Sequence, residues 1–210
     1  ALVHTWQLMH QASHAEPSLW TNPSYKYDMV DVTRQVMANA LIPLYSGLVS
    51  TYKNNSSSRD ITKAGSRLLH LLKDIDKVLH TNPHFRLSTW IEAARSWSGG
   101  NKHYSSYLEY NARNQITLWG PQGEINDYAS KSWAGLVSTY YVPRWEMFVQ
   151  YLRSTPPASY NATEFDAQLL DFGLKWNKQT WNAAKYSHEE TNLKEVLAYV
   201  QRQWPTVFGA

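Results

Sequence analysis

The chain has 210 residues, and not one of them is cysteine. Disulfides within this chain and a thiol nucleophile are therefore excluded, and with them the cysteine hydrolases and the dithiol oxidoreductases. No apolar run approaches the roughly 20 residues that a membrane-spanning helix needs, so we expect no membrane partner. The first residues, Ala1 to Trp6, also lack the basic and apolar regions of a signal peptide.

An excess of one charge is missing as well. The net charge is only +3 and the basic residues form no run, so the cationic stripe of a nucleic-acid-binding protein is absent. Only strongly salt-dependent DNA binding would bring that class back. His4, His10 and His14 offer too few ligands for a metal site. There is no phosphate loop or nucleophile elbow either, and we expect neither a metal nor an organic cofactor.

Aromatic residues, by contrast, are abundant: the chain has 10 Trp, 14 Tyr and 5 Phe. Each such ring buries a large apolar area, so we expect most of them to form the core. A pyranose ring can also stack its apolar face on an indole. One or two of the aromatic side chains are therefore reserved for a sugar site.

Apolar residues recur at three- and four-residue spacing along nearly the whole chain, which is typical of amphipathic helices. We predict an all-α fold, an antiparallel bundle or array of about seven helices that forms a single domain over residues 1–210. Pro43 lies inside one apolar stripe and is expected to bend or divide that helix. The predicted helix starts are Asp60, the capping box Thr89–Glu92, Thr163 and Thr191.

The segment from Tyr110 to Phe148 differs from the rest of the chain. Its pattern predicts a helix, a loop with Trp119 and a Gly-Pro turn, and a second helix that Asp127 caps and Pro143 ends or kinks. Such a loop can present hydrogen-bonding groups and one flat apolar face to a sugar. Alternatively, Trp119 plugs the end of the bundle and Arg113 pairs with a carboxylate. The residues by themselves favour this second, structural interpretation.

Four motifs in this region carry a resemblance: QITLWGPQG at 115–123, DYA at 127–129, WAGLV at 133–137 and YYVPRW at 140–145. They resemble the C-terminal helical domain of lysosomal-type α-N-acetylglucosaminidases, glycoside hydrolase family eighty-nine. The resemblance begins at about residue 27, is most specific between Tyr110 and Trp145, and fades after Ser154. Trp133 departs from the pattern, because family members often have a smaller aliphatic residue there.

The resemblance implies a larger enzyme that removes terminal α-linked N-acetylglucosamine, typically from heparan sulfate. In that family a small α/β domain comes first, then a (β/α)₈ barrel with two catalytic glutamates, and the all-α domain packs beside the barrel and walls the pocket. The barrel, in the same chain or another, is thus the implied partner and the glycan the implied ligand. By position, the resemblance implies that Trp119 and Tyr128 lie nearest the sugar pocket. It further implies hydrogen bonds from Asn111 and Gln115 that support the pocket residues, buried pairing for Arg113, and a barrel contact for Arg144.

This chain shows no catalytic pair of its own. Retaining glycoside hydrolysis needs two carboxyl groups ~5 Å apart, and no two acidic residues form a convincing constellation in the sequence. We therefore assign no catalytic residue here. The acids considered are Glu92, Glu109, Glu124, Asp127, Glu146 and Asp166.

Three sequons place the protein on the secretory route. Asn54, Asn55 and Asn161 each fit the acceptor pattern for N-glycosylation in a polar, breaker-rich connection. We expect a lysosomal or secreted location, and the missing signal peptide suggests a processed fragment. Leu2, Trp6 and Met9 have helical spacing without a cap before them, as a cleavage site would leave; a naturally frayed N-terminus explains this almost as well. Assembly into a homo-oligomer stays open.

A second hypothesis is a helical sugar-binding or scaffold protein that derives from this domain and has no activity. Co-purification separates the two hypotheses. A tightly associated heavier chain with hydrolase activity supports the enzyme, and its absence supports the binding protein.

Overall fold

The computed structural model describes residues 1–182 and 191–209. Within these ranges the chain forms eight α-helices and no β-sheet, which confirms the all-α prediction with one helix more than expected. None of the helices in these ranges is both long and apolar enough to cross a membrane. The helices are α1 (Leu2–Ala15), α2 (Pro23–Lys53), α3 (Ser58–His80), α4 (Leu87–Ser96), α5 (Lys102–Gln115), α6 (Val142–Ser154), α7 (Ala162–Asn177) and α8 (Leu193–Gln203).

The main core lies between α1, α2, α3 and α8. Trp6 of α1 is almost fully buried there, and its indole N–H donates to the Thr33 hydroxyl over 2.8 Å. Its ring lies 4.5 Å from that of Phe208, centroid to centroid, so residues near the two ends of the chain pack together. Burial of this one large ring ties three distant stretches of sequence to one another.

A second core lies under the segment that the sequence singled out. It joins α4, α5 and α7 to the residues before α6, and its central rings are Tyr140 and Trp176, 5.1 Å apart. The Trp176 indole N–H donates to the Thr139 hydroxyl over 3.0 Å, so its one polar group is satisfied. This core supports the loop between α5 and α6.

Pro43 does not divide α2. The helix runs without a break through Pro43, from Pro23 to Lys53. Both Pro43 and Asn39, whose carbonyl loses its donor to the proline, lie on the exposed side. Because water can satisfy that carbonyl, the apolar stripe on the other side overrides the usual effect of an internal proline.

The starts of α3 and α4 differ from the predicted ones. Ser57, and not Asp60, caps α3: its hydroxyl oxygen accepts from the Asp60 amide and its hydroxyl donates to the Asp60 carboxylate over 2.6 Å. Thr89 lies inside α4, which begins at Leu87, and its hydroxyl donates to the Pro83 carbonyl. The predicted capping box is therefore wrong.

The starts of α7 and α8 also differ from the predicted ones. Asn161 caps α7 two residues before the predicted Thr163, and Asn192 caps α8 one residue after the predicted Thr191. In both cases the asparagine side-chain oxygen accepts a first-turn amide. Asparagine is as good an N-cap as threonine or better, so composition could not choose between neighbours.

The predicted start of the helix at Asp127 is wrong. Asp127 has a backbone φ of +57° and caps nothing, and helical structure resumes only at Leu136. One π-helical turn, Val137–Tyr141, then leads into α6. Pro143 is the second residue of α6, so its missing amide falls at the junction of two helix types and does not end the helix.

Candidate functional site

The turn after α5 brings Trp119 to the surface. The Asn114 carbonyl accepts from the Trp119 amide over 2.7 Å, and the Asn114 side-chain oxygen accepts from the Gly120 amide over 3.4 Å. Trp119 adopts φ +47° and Gly120 φ +146°, so the chain reverses sharply at these two residues. Trp119 is 42% exposed. It therefore does not plug the end of the bundle, which the structural interpretation of the sequence required.

Tyr128 lies next to Trp119. The two ring centroids are 5.5 Å apart and the planes meet at 67°, an edge-to-face pair. The rings come together because the Asp127 amide donates to the Thr117 carbonyl over 2.7 Å, which closes the loop. With Tyr128 70% exposed, the pair forms an aromatic edge that carries one phenol hydroxyl. We call residues 117–130 the aromatic loop.

A buried cluster of charged side chains fixes the helix that precedes the aromatic loop. Glu109 is 2% exposed and accepts from the guanidinium groups of Arg113 and Arg95 and from the Trp181 amide. Arg113 also stacks on the ring of Trp176, 4.4 Å from its centroid. The carboxylate and Arg113 are thus paired inside the fold, and the one turn of helix between them fixes the end of α5.

Arg144 pairs within the chain. Its Nη1 lies 2.9 Å and 2.7 Å from the two carboxylate oxygens of Asp127, and its guanidinium covers the ring of Tyr140 at 4.8 Å. The predicted contact of Arg144 with a barrel stays a prediction. The role as a helix N-cap that the sequence suggested for Asp127 is wrong, because its carboxylate binds this arginine.

Asn111 and Gln115 lie on the outer side of α5. Asn111 is half-buried and Gln115 exposed, and the side chain of neither forms a hydrogen bond to another residue within the ranges that the structure describes. That they form hydrogen bonds that support the pocket residues stays a prediction. The amide that organises the turn is Asn114, and Thr117 supports it through a 2.9 Å bond to the buried Asn177.

Sequence reasoning missed Asn114 and Asn177. Three polar residues end α5, and helical periodicity does place Arg113 on the inner face with Glu109 and Ala112. Asn114 lies at the edge of that face. Its partner Asn177 comes 63 residues later in the chain, so no local pattern identifies it.

An open groove of about 550 Å³ lies beside the aromatic loop. Asp127 and Arg144 form part of its wall, and aromatic rings form much of the remainder. Burial, with a smaller effect of the nearby Asp127 carboxylate, raises the pKa of Tyr141 to about 12. Burial likewise raises the pKa of Tyr140 well above its ordinary value. Both phenols are therefore neutral at physiological pH. The further lining residues are Tyr45, Ser130, Lys131, Ser132, Trp145, Phe148, Phe165 and Leu169.

The acidic residues considered for catalysis are engaged elsewhere or dispersed. Glu109 and Asp127 are paired with arginines, and Glu146 pairs with Lys73 at 3.2 Å on the surface. Glu124 accepts from the Gln122 amide at the turn of the loop. Among the described residues, no group of three or more His, Asp or Glu side chains is placed to hold a metal ion.

His10 and His14 of α1 belong to an aromatic stack. His10 lies parallel to Trp6 at 4.9 Å and meets His14 edge-on at 4.7 Å. Burial, and secondarily the charge of His14, lowers the pKa of His10. Trp133, the residue that departs from the family pattern, packs beside Trp90 at 5.9 Å and is half-buried.

The structure is that of an all-helical domain that exposes an aromatic edge. Among the described residues, its most buried carboxylates form ion pairs or accept hydrogen bonds. The family model for the α-N-acetylglucosaminidase (NAGLU) C-terminal domain matches residues 1–202. The chain belongs to this family. The match also extends over the regions before residue 27 and after Ser154, where the sequence resemblance was weak.

Human α-N-acetylglucosaminidase is a relative, 37% identical over 151 residues, which is 72% of this chain and 20% of the human protein. A family 89 glycoside hydrolase from Clostridium perfringens, in complex with 2-acetamido-1,2-dideoxynojirmycin, has the same fold with a TM-score of 0.71 at 24% identity. That alignment covers 85% of this chain and 21% of the bacterial one. A second structure of the bacterial enzyme holds its substrate, GlcNAc-α-1,4-galactose, with the same score, identity and coverage. The chain therefore spans about a fifth of the length of these relatives.

Proposed function

We propose that residues 1–210 form the single C-terminal domain of an exo-acting, retaining α-N-acetylglucosaminidase. The complete enzyme removes terminal α-linked N-acetylglucosamine from glycans of the heparan sulfate type. This domain walls the sugar pocket and packs on the catalytic barrel. The observation that carries the proposal is the exposed Trp119–Tyr128 pair, which lies in the segment that most specifically resembles the family.

The aromatic edge suits a sugar for a physical reason. A pyranose has one face of C–H groups and a rim of hydroxyls, so it needs a flat apolar surface beside polar groups. Trp119 and Tyr128 supply exposed ring surface and the Tyr128 hydroxyl. The bacterial relative was solved with its substrate, GlcNAc-α-1,4-galactose, which supports a terminal N-acetylglucosamine as the ligand.

The chemistry itself is assigned to the barrel. Retention needs an acid/base and a nucleophile carboxyl ~5 Å apart. Glu109 has its oxygens taken by two arginines and a backbone amide, and Asp127 is bound to Arg144. Neither is free to attack or protonate a glycosidic bond, which supports placing the two catalytic glutamates outside this chain.

Replacement of Trp119 by Ala in the complete enzyme tests the proposal. Loss of the pocket wall should cost about 2 kcal/mol of transition-state binding, a roughly thirtyfold fall in kcat/KM per folded molecule. Trp97→Ala is the matched control, because Trp97 is 80% exposed and lies at the end of α4. Its kcat/KM should not change. A Trp119→Ala enzyme with a lowered melting temperature but normal kcat/KM would make Trp119 a packing residue.

We also propose a lysosomal or secreted location with N-glycans on Asn161 and on one of Asn54 and Asn55. All three asparagines are exposed in the structure. The Asn161 side-chain oxygen caps α7, and its nitrogen makes no hydrogen bond within the described residues, so a glycan on that nitrogen leaves the cap intact. Glycopeptide mass spectrometry of the native protein decides the matter; unmodified asparagines at all three positions would contradict the location.

A further inference from the structure

The backbone of the aromatic loop is unusually strained. Four residues other than glycine have a left-handed backbone in the described ranges, and three of them lie in this loop. They are Trp119, Asp127 and Ser130, with φ values of +47°, +57° and +45°. Such residues stay in this conformation only where the surrounding contacts hold them there. The contacts that hold the loop therefore decide where its rings lie.

Three sets of contacts hold the loop. At the start, Asn114 of α5 binds the amides of Trp119 and Gly120. In the middle, the Asp127 amide binds the Thr117 carbonyl. Among the described residues, the one ion pair between the loop and a helix is that of Asp127 with Arg144 of α6. Because Tyr128 directly follows Asp127, this ion pair sits one residue from an exposed ring of the proposed pocket wall.

The ion pair is itself well fixed. Its side chains are only 32% exposed for Asp127 and 17% for Arg144, so water screens it less than a surface pair. Arg144 is also held by the ring of Tyr140, which is buried in the second core. The chain of contacts thus runs from the core through Tyr140 and Arg144 to Asp127, and from there along the backbone to Tyr128.

We propose that Asp127 and Arg144 are positioning residues for the sugar pocket: their ion pair fixes the left-handed turn at Asp127 and so places Tyr128, and through it Trp119, against the substrate. This rests on the proposed function of the two rings. The pair contacts no reacting atom itself. It determines how often the aromatic edge has the arrangement that binds the transition state.

Asp127→Asn in the complete enzyme removes the charge of this residue and keeps its backbone conformation. Asparagine tolerates the left-handed region as well as aspartate does, and it has the same size, so only the ion pair is removed. We expect kcat/KM on an aryl α-N-acetylglucosaminide to fall about tenfold per folded molecule, since a small displacement of positioning groups is costly in rate. Arg144→Gln should cause the same loss and Arg144→Lys a smaller one. Glu146→Gln, which breaks an exposed pair on the same helix, should leave the rate unchanged.

A purely structural pair is distinguished by combining Asp127→Asn with Tyr128→Ala. If Asp127 acts through Tyr128, its replacement should cost no further activity once Tyr128 is Ala. Activity losses that multiply in the double variant would overturn the positioning role, as would normal kcat/KM in Asp127→Asn.

Hydrogen exchange of the loop amides gives a readout apart from activity. Asp127→Asn should speed exchange of the Asp127 and Trp119 amides, whereas Glu146→Gln should not. Unchanged exchange in Asp127→Asn would overturn the proposal. If Tyr128→Ala and Trp119→Ala both keep full activity, the pocket-wall function fails, and the exchange data still show whether the ion pair holds the loop.

Discussion

Replacement of Glu109 by Gln is the most informative single perturbation of this fold. The carboxylate is almost fully buried and binds Arg95, Arg113 and the Trp181 amide. Glutamine keeps the shape and offers one acceptor, but it removes the negative charge of Glu109 that pairs with the side chain of Arg113, 3% exposed. A guanidinium inside the second core, next to Trp176, then loses this ion pair.

The expected loss is large. Removal of one partner from a buried ion pair costs about 3–5 kcal/mol, because the remaining charge is neither solvated nor paired. For a protein of this size each kcal/mol lowers the melting temperature by about 2–4 °C. Glu109→Gln should therefore lower it by roughly 6–20 °C. Glu146→Gln, at an exposed pair with both side chains about half-exposed, should cost less than about 1 kcal/mol.

Urea unfolding of the 210-residue chain, followed by circular dichroism, measures both changes. Adding Arg113→Met to Glu109→Gln should recover part of the loss, since it removes a buried positive charge that has lost its ion pair with Glu109 and keeps an apolar chain against Trp176. A Glu109→Gln variant that loses less than about 1 kcal/mol would refute the reasoning, because the pair would then be solvated. No recovery in the double variant would assign the loss to some other contact.

Three further predictions concern other parts of the chain. Burial raises the pKa of Asp76, against the opposing hydrogen bonds from the amides of Gly135 and Ser138. Its contribution to stability is therefore complete below its ordinary pKa of 3.8 and is lost as the pH rises through the higher folded-state value. In urea unfolding, the free energy of unfolding of the wild type should rise relative to that of Asp76→Asn as the pH falls. A difference between the two proteins that does not vary with pH would contradict this. Gly135→Ala should destabilise by roughly 1–3 kcal/mol, because φ is +86° and the new Cβ would lie 2.9 Å from the Trp181 ring. Gly47→Ala, inside α2 with open space around it, should stabilise by roughly 0.5–1 kcal/mol, and thermal melts that reverse this order would refute the steric argument. The isolated chain should not hydrolyse an aryl α-N-acetylglucosaminide, and turnover by the purified chain would show that it holds its own catalytic pair.

The sequence by itself determined the class of fold. Helical spacing of apolar residues marks each helix locally, and in α3 the residues Ile61, Leu68, Leu72 and Ile75 recur at this spacing and are all buried. Periodicity succeeds there because it reflects which side of one helix meets the core, and that depends only on neighbours three and four residues away. Sequence motifs also pointed to the segment around Trp119 as the one that differs from ordinary bundle structure.

Helix boundaries and the loop needed the tertiary structure. Locally, Asp127 reads as an N-cap, but its carboxylate meets Arg144, 17 residues later, and the chain takes a left-handed turn where a helix was predicted. Asn114 reads as one of several polar residues, yet it anchors the turn together with Asn177, 63 residues away. Such contacts form only after the helices have packed. Local spacing therefore determined the helices, whereas long-range hydrogen bonds and one ion pair decided the path of the aromatic loop and the placing of its two rings.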